Sequence, residues 1–240
     1  MDKRLVILPG WGFSSTVLQP LADELQYALA GFTVQLQPLP QMAGLNLEVV
    51  LAQLDQQLPE HCWLLGWSLG GMLATTLAAR RVERCPGVIS YASNACFVAR
   101  AGWSEAMPAS TFSEFYRLCS EDLQAGIKRF ALLCSQGAEH ARQLSRELYG
   151  LTQTSKDSLA GLDCLAELDT RSAISRFTGA QLHMLAQNDA LVPASVAADL
   201  QALNSKAQVQ ILGQSHASPV AQVQLLAQSI TSFIGNEQHA

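Results

Sequence analysis

The chain has 240 residues, 49% of them hydrophobic and 15% charged, and a formal net charge of −5. That length buries a sizeable core, most simply as one α/β domain carrying an insertion, and the apolar content excludes a disordered chain. The acidic balance excludes a general nucleic-acid binder, which needs a basic surface.

Met1-Asp-Lys-Arg4 precedes only a short apolar run, Leu5 to Leu8, which ends at Pro9-Gly10. Such a run is too short for a signal-peptide core or a membrane span, so a cytoplasmic protein without a membrane partner is expected. The run suits a strand buried on both faces of a parallel sheet. A loop over Gly10–Ser15 follows, then helical spacing from Thr16 to Leu29 through Leu18, Leu21 and Leu25. Phe32 to Gln37 reads as a second strand, Asn46 caps a helix running to about Leu58, and Cys62 to Leu65 is a third strand. It meets Gly66-Trp-Ser-Leu-Gly70 and turns directly into a helical pattern reaching about Arg81. With Gly87 to Ala92 as a fourth strand, four strands alternate with three helices before residue 95, which implies a parallel sheet with right-handed crossovers.

From Ala95 to Thr178 the spacing is helical, without convincing strands, as in a cap or lid inserted into a core of residues 1–94 and 179–240. Alternation resumes with a strand from Gln181 to Ala186, a helix from Pro193 to Leu203, a strand from Val209 to Leu212, and a helix from Ser218 to Ile234. The tail after Gly235 is expected to be loose.

Ser68 is the candidate nucleophile. In a strand-turn-helix this tight, a Cβ at Gly66 or Gly70 would collide with neighbouring backbone, and the strained turn lifts the serine hydroxyl to the positive end of the following helix. A nucleophilic serine needs a base and an acid to orient it, following in the order Ser, acid, His. His216, in the loop leaving the last strand, is the candidate base, and Asp189, after the penultimate strand, the candidate acid. Asp169 is the rival, but it falls in the helical insertion beside Arg171, where a local ion pair is expected. His61, His140, His183 and His239 occupy a strand edge, a helix, a strand interior and the tail.

The backbone N–H groups of Leu69 and Trp11 are the candidate donors to a tetrahedral oxyanion. Gly10-Trp-Gly12-Phe-Ser-Ser15 lacks the third glycine of a dinucleotide fingerprint, and no acid ends the next strand, so no nucleotide site is expected. Trp11, Phe13 and Trp67 lie close to this chemistry, and Phe115 and Phe130 on cap helices either line an acyl pocket with them or form the cap's own core. The six cysteines show no Cys-x-x-Cys spacing and read as reduced, buried hydrophobes, and the histidines lack metal-ligand spacing. Neither a metal nor another cofactor is expected.

These residues resemble the α/β-hydrolase superfamily and, more narrowly, the pimeloyl-acyl-carrier-protein methyl ester esterase family of the biotin pathway. The likeness runs through most of the chain. Its specific parts are Gly10-Trp-Gly12, Gly66-Trp-Ser-Leu-Gly-Gly71, Ala92-Ser-Asn-Ala-Cys-Phe97, Arg129-Phe-Ala-Leu132, Gly137 with Ala141-Arg142 and Arg146, Asp169-Thr-Arg171, Asp189-Ala-Leu-Val-Pro193 and Ser215-His-Ala217. The sequence begins almost at the first strand, so the antiparallel N-terminal hairpin common in the superfamily is expected to be absent. The resemblance then implies six parallel strands ordered 2-1-3-4-5-6. It implies a monomeric serine esterase that cleaves the methyl ester of a pimeloyl chain carried on acyl carrier protein.

The likeness also implies that Arg129, Arg142 and Arg146 receive the acidic carrier; a fourth family arginine falls on Ala125, with Lys128 nearby as a substitute. Between residues 125 and 147, four basic residues face two acidic ones on an otherwise acidic chain, a pattern that a docking face and a solvated helix face share. The chain departs from the superfamily at Pro9, where histidine is usual, and at Pro38-Leu-Pro-Gln41, which replaces a Pro-Gly-x-Gly loop. Two other functions fit the same triad less closely: a general carboxylesterase or thioesterase without a carrier, and a hydrolase fold that binds a ligand without turnover.

Overall fold

A computed structural model describes residues 3–155 and 157–238. The chain opens with strand β1 (Lys3–Leu8), helix α1 (Gln19–Ala28), β2 (Phe32–Leu36), α2 (Leu47–Gln57), β3 (Trp63–Trp67), α3 (Leu69–Arg81) and β4 (Gly87–Tyr91). Five helices follow before the next strand: α4 (Ala109–Glu121), α5 (Leu123–Ser135), α6 (Ala141–Leu151), α7 (Asp157–Glu167) and α8 (Arg171–Arg176). Then come β5 (Ala180–Leu185), α9 (Ala197–Leu203), β6 (Gln208–Ile211), α10 (Ser218–Ala221) and α11 (Val223–Gln238).

The six strands form one sheet in the order β2-β1-β3-β4-β5-β6, and every neighbouring pair is parallel. This is the expected α/β-hydrolase sheet, and its central strands are buried on both faces, as their unbroken apolar runs require. Side chains such as Leu5, Leu64, Leu73 and Ile230 are fully buried, each stabilising the fold by about 1.5–3 kcal/mol. Among the described residues no helix is long and apolar enough to cross a membrane.

Several expected elements are subdivided. The helix expected from Thr16 begins with a 3-10 turn over Ser15–Leu18, and the one expected from Pro193 begins with a 3-10 turn over Ala194–Val196. Chain-end hydrogen bonds are shared in such tight turns, and apolar spacing alone does not register the change. The helix expected over Ser218–Ile234 breaks at Gln222, whose φ of −133° leaves the helical region. Its second half runs to Gln238, so residues 236–238, expected to be loose, are helical. The stretch from Ala95 to Pro108, expected to be helical, is a run of bends tied by isolated bridges, Val98 to Met107 and Arg100 to Trp103.

Candidate active site

In a parallel sheet every strand delivers its loop to the same carboxyl edge, and there the chain places Ser68 after β3, Asp189 after β5 and His216 after β6. Ser68 has φ 54° and ψ −120°, a conformation costly for a residue with a Cβ, and its amide donates to the Tyr91 carbonyl at 2.9 Å. The glycines around it are sterically required. A Cβ on Gly66 would lie 2.2 Å from the Gly70 carbonyl oxygen, and one on Gly70 would lie 2.4 Å from that of Pro9. Gly71 is equally confined, since its Cβ would meet the Ser93 Oγ at 2.0 Å. Ser93 Oγ in turn donates to the Ser68 carbonyl at 2.7 Å, tying the elbow to the loop after β4.

His216 and Asp189 are joined directly, Nδ1 to Oδ2 at 2.8 Å, and both side chains are fully buried. The other carboxylate oxygen of Asp189 accepts from the backbone amides of Leu191 at 2.8 Å and Val192 at 3.1 Å, which leaves Oδ2 aimed at the imidazole. The two loops are themselves stitched together, with the Gln187 and Asn188 amides donating to the carbonyls of Gly213 and Gln214. His216 Nε2 is buried and has no hydrogen-bond partner among the described residues. A neutral imidazole whose Nδ1–H is held by a carboxylate presents Nε2 as an acceptor, the state a general base needs.

The aromatic residues anticipated near this chemistry converge on it. Trp67 donates its indole N–H to the His216 carbonyl at 2.8 Å, and Phe13 stacks on the Trp67 ring at 4.9 Å. Phe130 lies 4.9 Å from Trp11, 5.7 Å from Phe13 and 6.5 Å from the His216 ring. Phe115 completes the group, 5.8 Å from Trp11. The backbone amides of Trp11 and Leu69 make no hydrogen bond among the described residues, and both residues border a cavity of about 580 Å³. Its far walls are the Pro38–Met42 loop, Gln153–Ser155, and Asp157, Ser158 and Gly161 of α7. The substituted Pro38-Leu-Pro-Gln41 rim therefore faces the cap across the cavity mouth.

The remaining candidates separate from the site. Asp169 is ion-paired to Arg171 at 2.6 Å, and that guanidinium holds its carboxyl below the usual carboxylate range. His183, in the interior of β5, makes a buried cross-strand pair with Ser90, Nδ1 to Oγ at 2.8 Å, and burial depresses its pKa to about 4. His61 and His140 are exposed, and His239 lies outside the described residues. All six cysteines are buried free thiols, and burial raises every one, Cys85 and Cys164 to about 12. No cluster among the described residues could hold a metal ion. Lys128 and Arg129 on α5 and Arg142 and Arg146 on α6 are all exposed, and none has a carboxylate within ion-pair distance among the described residues.

Sequence spacing does not disclose what holds the His216 loop. The Tyr91 hydroxyl donates to the carbonyls of Leu212 and Ser215, while Ser218 Oγ accepts from the amides of Gln214 and Ser215. The Ala217 amide reaches the Cys134 carbonyl on cap helix α5 at 3.1 Å. Only the small-residue run Gly213-Gln-Ser-His-Ala-Ser218 hints at this packing.

A parallel sheet with an elbow serine, a buried acid-histidine pair and two amides without a hydrogen-bond partner among the described residues at one edge is the arrangement of the α/β-hydrolase fold. The chain belongs to the α/β-hydrolase fold family, whose model matches residues 45–220, and within it to the same family as proteins named pimeloyl-[acyl-carrier protein] methyl ester esterase. It is 32% identical to the pimeloyl-[acyl-carrier protein] methyl ester esterase of Vibrio vulnificus strain YJ016, over 96% of this chain and 94% of that one. It is 39% identical to the biotin biosynthesis bifunctional protein BioHC of Cellvibrio japonicus over 95% of this chain and 47% of the relative, so it spans about half the length of the bifunctional relatives it matches. The fold is shared with a bromoperoxidase from Bacillus anthracis, at a TM-score of 0.84 and 16% identity over 98% of this chain and 92% of that one. It is shared as well with an esterase from Exiguobacterium antarcticum, at a TM-score of 0.82 and 16% identity over 97% and 92%.

Proposed function

We propose that this protein is a cofactor-free serine esterase that hydrolyses the methyl ester of a pimeloyl chain carried on acyl carrier protein, a step of biotin biosynthesis. The observation that carries the reading is the buried Asp189–His216 pair, with Nε2 unpartnered among the described residues, at the same sheet edge as a serine held at positive φ. In this mechanism Ser68 Oγ attacks the ester carbonyl while His216 Nε2 takes its proton, and Asp189 holds the imidazole in the required tautomer and stabilises its cationic form. The amides of Trp11 and Leu69 receive the negative charge that develops on the carbonyl oxygen. Collapse of the intermediate expels the methoxy group, which takes the proton from His216 and leaves as methanol. Water, deprotonated by the same histidine, then cleaves the acyl-enzyme to the free carboxylate and restores Ser68.

The helices between β4 and β5 act as a cap over this edge, with Phe115 and Phe130 lining the acyl path. The choice of a carrier-borne substrate is supported by the named activity of relatives that this chain covers over most of their length and by four exposed cations on α5 and α6 with no carboxylate partner among the described residues, which suit an acidic partner. The test is hydrolysis of a carrier-bound pimeloyl methyl ester and of a short p-nitrophenyl ester by the native protein, Ser68→Ala and an Arg142→Glu/Arg146→Glu variant. Ser68→Ala is expected to lose both activities with its fold intact, and retention of either sinks the triad. The double charge reversal is expected to lose only the carrier-bound activity; an equal effect on both substrates indicates a general esterase without a carrier role.

A further inference from the structure

The residue that supplies the candidate oxyanion amide is held from the cap and not from the sheet. Trp11 donates its indole N–H to the Ser158 carbonyl, in the first turn of α7, at 2.7 Å. Directly above the ring stands Gly161, inside the same helix, where a Cβ would lie 2.6 Å from Trp11 Cδ1 and 3.0 Å from Nε1. The next residues of the loop are tied to the same cap segment: the Gln153 amide donates to the Gly12 carbonyl at 2.8 Å, and Phe13 bridges Thr152. Phe130 and Phe115 close the other sides of the indole. Glycine is a poor choice inside a helix, costing roughly 1 kcal/mol relative to alanine, and Gly161 has an ordinary helical φ. Close approach of the indole is the physical reason for its presence.

We infer that Gly161 and the Ser158 carbonyl are positioning residues for the oxyanion site: they set the rotamer of Trp11, and through it the direction of the Trp11 backbone amide. This rests on the reading of Trp11 as an oxyanion donor given above. Neither residue touches the reacting atoms. An amide swung away from the developing oxyanion weakens only the interaction made in the transition state, so the effect falls on kcat and not on KM.

Gly161→Ala separates this role from helix stability, because helix propensity predicts an equal or higher melting temperature while displacement of the indole predicts slower turnover. Removal of an oxyanion donor costs about 10²–10³-fold in kcat, so partial displacement is expected to lower kcat at least about 10-fold on the short p-nitrophenyl ester, with KM changed less than about 3-fold. Trp11→Phe loses the Ser158 bond and the atoms that meet the new methyl group, so adding Gly161→Ala to Trp11→Phe is expected to lower kcat no further. A native kcat in Gly161→Ala, or a double variant clearly slower than Trp11→Phe alone, overturns the inference. If Gly161→Ala does not fold, Trp11→Phe alone decides: loss of the Ser158 bond lowers kcat at unchanged KM, and a native kcat overturns the proposal. Ser68→Ala runs alongside. Activity surviving in Ser68→Ala indicts the esterase reading itself, whereas a dead Ser68→Ala with a fully active Gly161→Ala indicts only the positioning role.

Discussion

Asp189→Asn is an isosteric change whose outcome follows from the hydrogen bonds around one carboxylate. Oδ1 is held by two backbone amides, from Leu191 at 2.8 Å and Val192 at 3.1 Å, and amides require an acceptor. An asparagine must therefore keep its oxygen there and turn its NH2 group toward His216 Nδ1, now 2.8 Å away from a donor instead of an acceptor. The imidazole answers by accepting at Nδ1 and carrying its proton on Nε2. In that tautomer it has no lone pair for the Ser68 proton. Loss of the correct tautomer costs about 10⁴ in kcat, or about 5.5 kcal/mol of transition-state stabilisation. Because the side chain is fully buried and its volume unchanged, the fold is expected to survive. The assay is kcat on a short p-nitrophenyl ester with the melting temperature as the control. A folded Asp189→Asn within about tenfold of native kcat would refute both the tautomer argument and the choice of acid.

Two further predictions concern stability. His183 is buried with its pKa lowered to about 4 from an ordinary value near 6.5, so between these values the unfolded chain binds the proton and the folded one does not. Stability is therefore full above pH 6.5 and falls by about 3 kcal/mol as the pH drops to 4. Melting temperatures across that range check it, and an equally steep slope in His183→Gln would assign the loss elsewhere. Val82 shares the backbone conformation of Ser68, φ 49° and ψ −118°, but is 54% exposed at the end of α3. Val82→Gly removes strain of roughly 1–3 kcal/mol and adds about 1 kcal/mol of unfolded-chain entropy, so a melting temperature raised by a few degrees is expected in thermal denaturation. A lower one would show that the strain is relieved by contacts of the valine side chain.

The strands and the elbow were legible in the chain because each rests on local chemistry, whereas the strand order and the order of serine, acid and histidine came from the architecture that the chain resembles. Apolar runs that end in Pro-Gly or Gly-x-Ser mark strands and their turns within a few residues, and the need for glycine at 66 and 70 arises from backbone atoms close in sequence. Asp189 was separable from Asp169 for the same reason, since Arg171 stands two residues from the rival. The helix break at Gln222 and the bends over 95–108 were not legible, because apolar spacing does not encode where a turn yields its hydrogen bonds to tertiary partners. Above all, the tertiary structure alone brought Gly161 onto Trp11, Cys134 onto Ala217 and Tyr91 onto the His216 loop. These contacts span from 83 to about 150 residues of sequence. A distant pair is fixed by the packing of whole helices and strands, to which no short stretch of chain carries a signal.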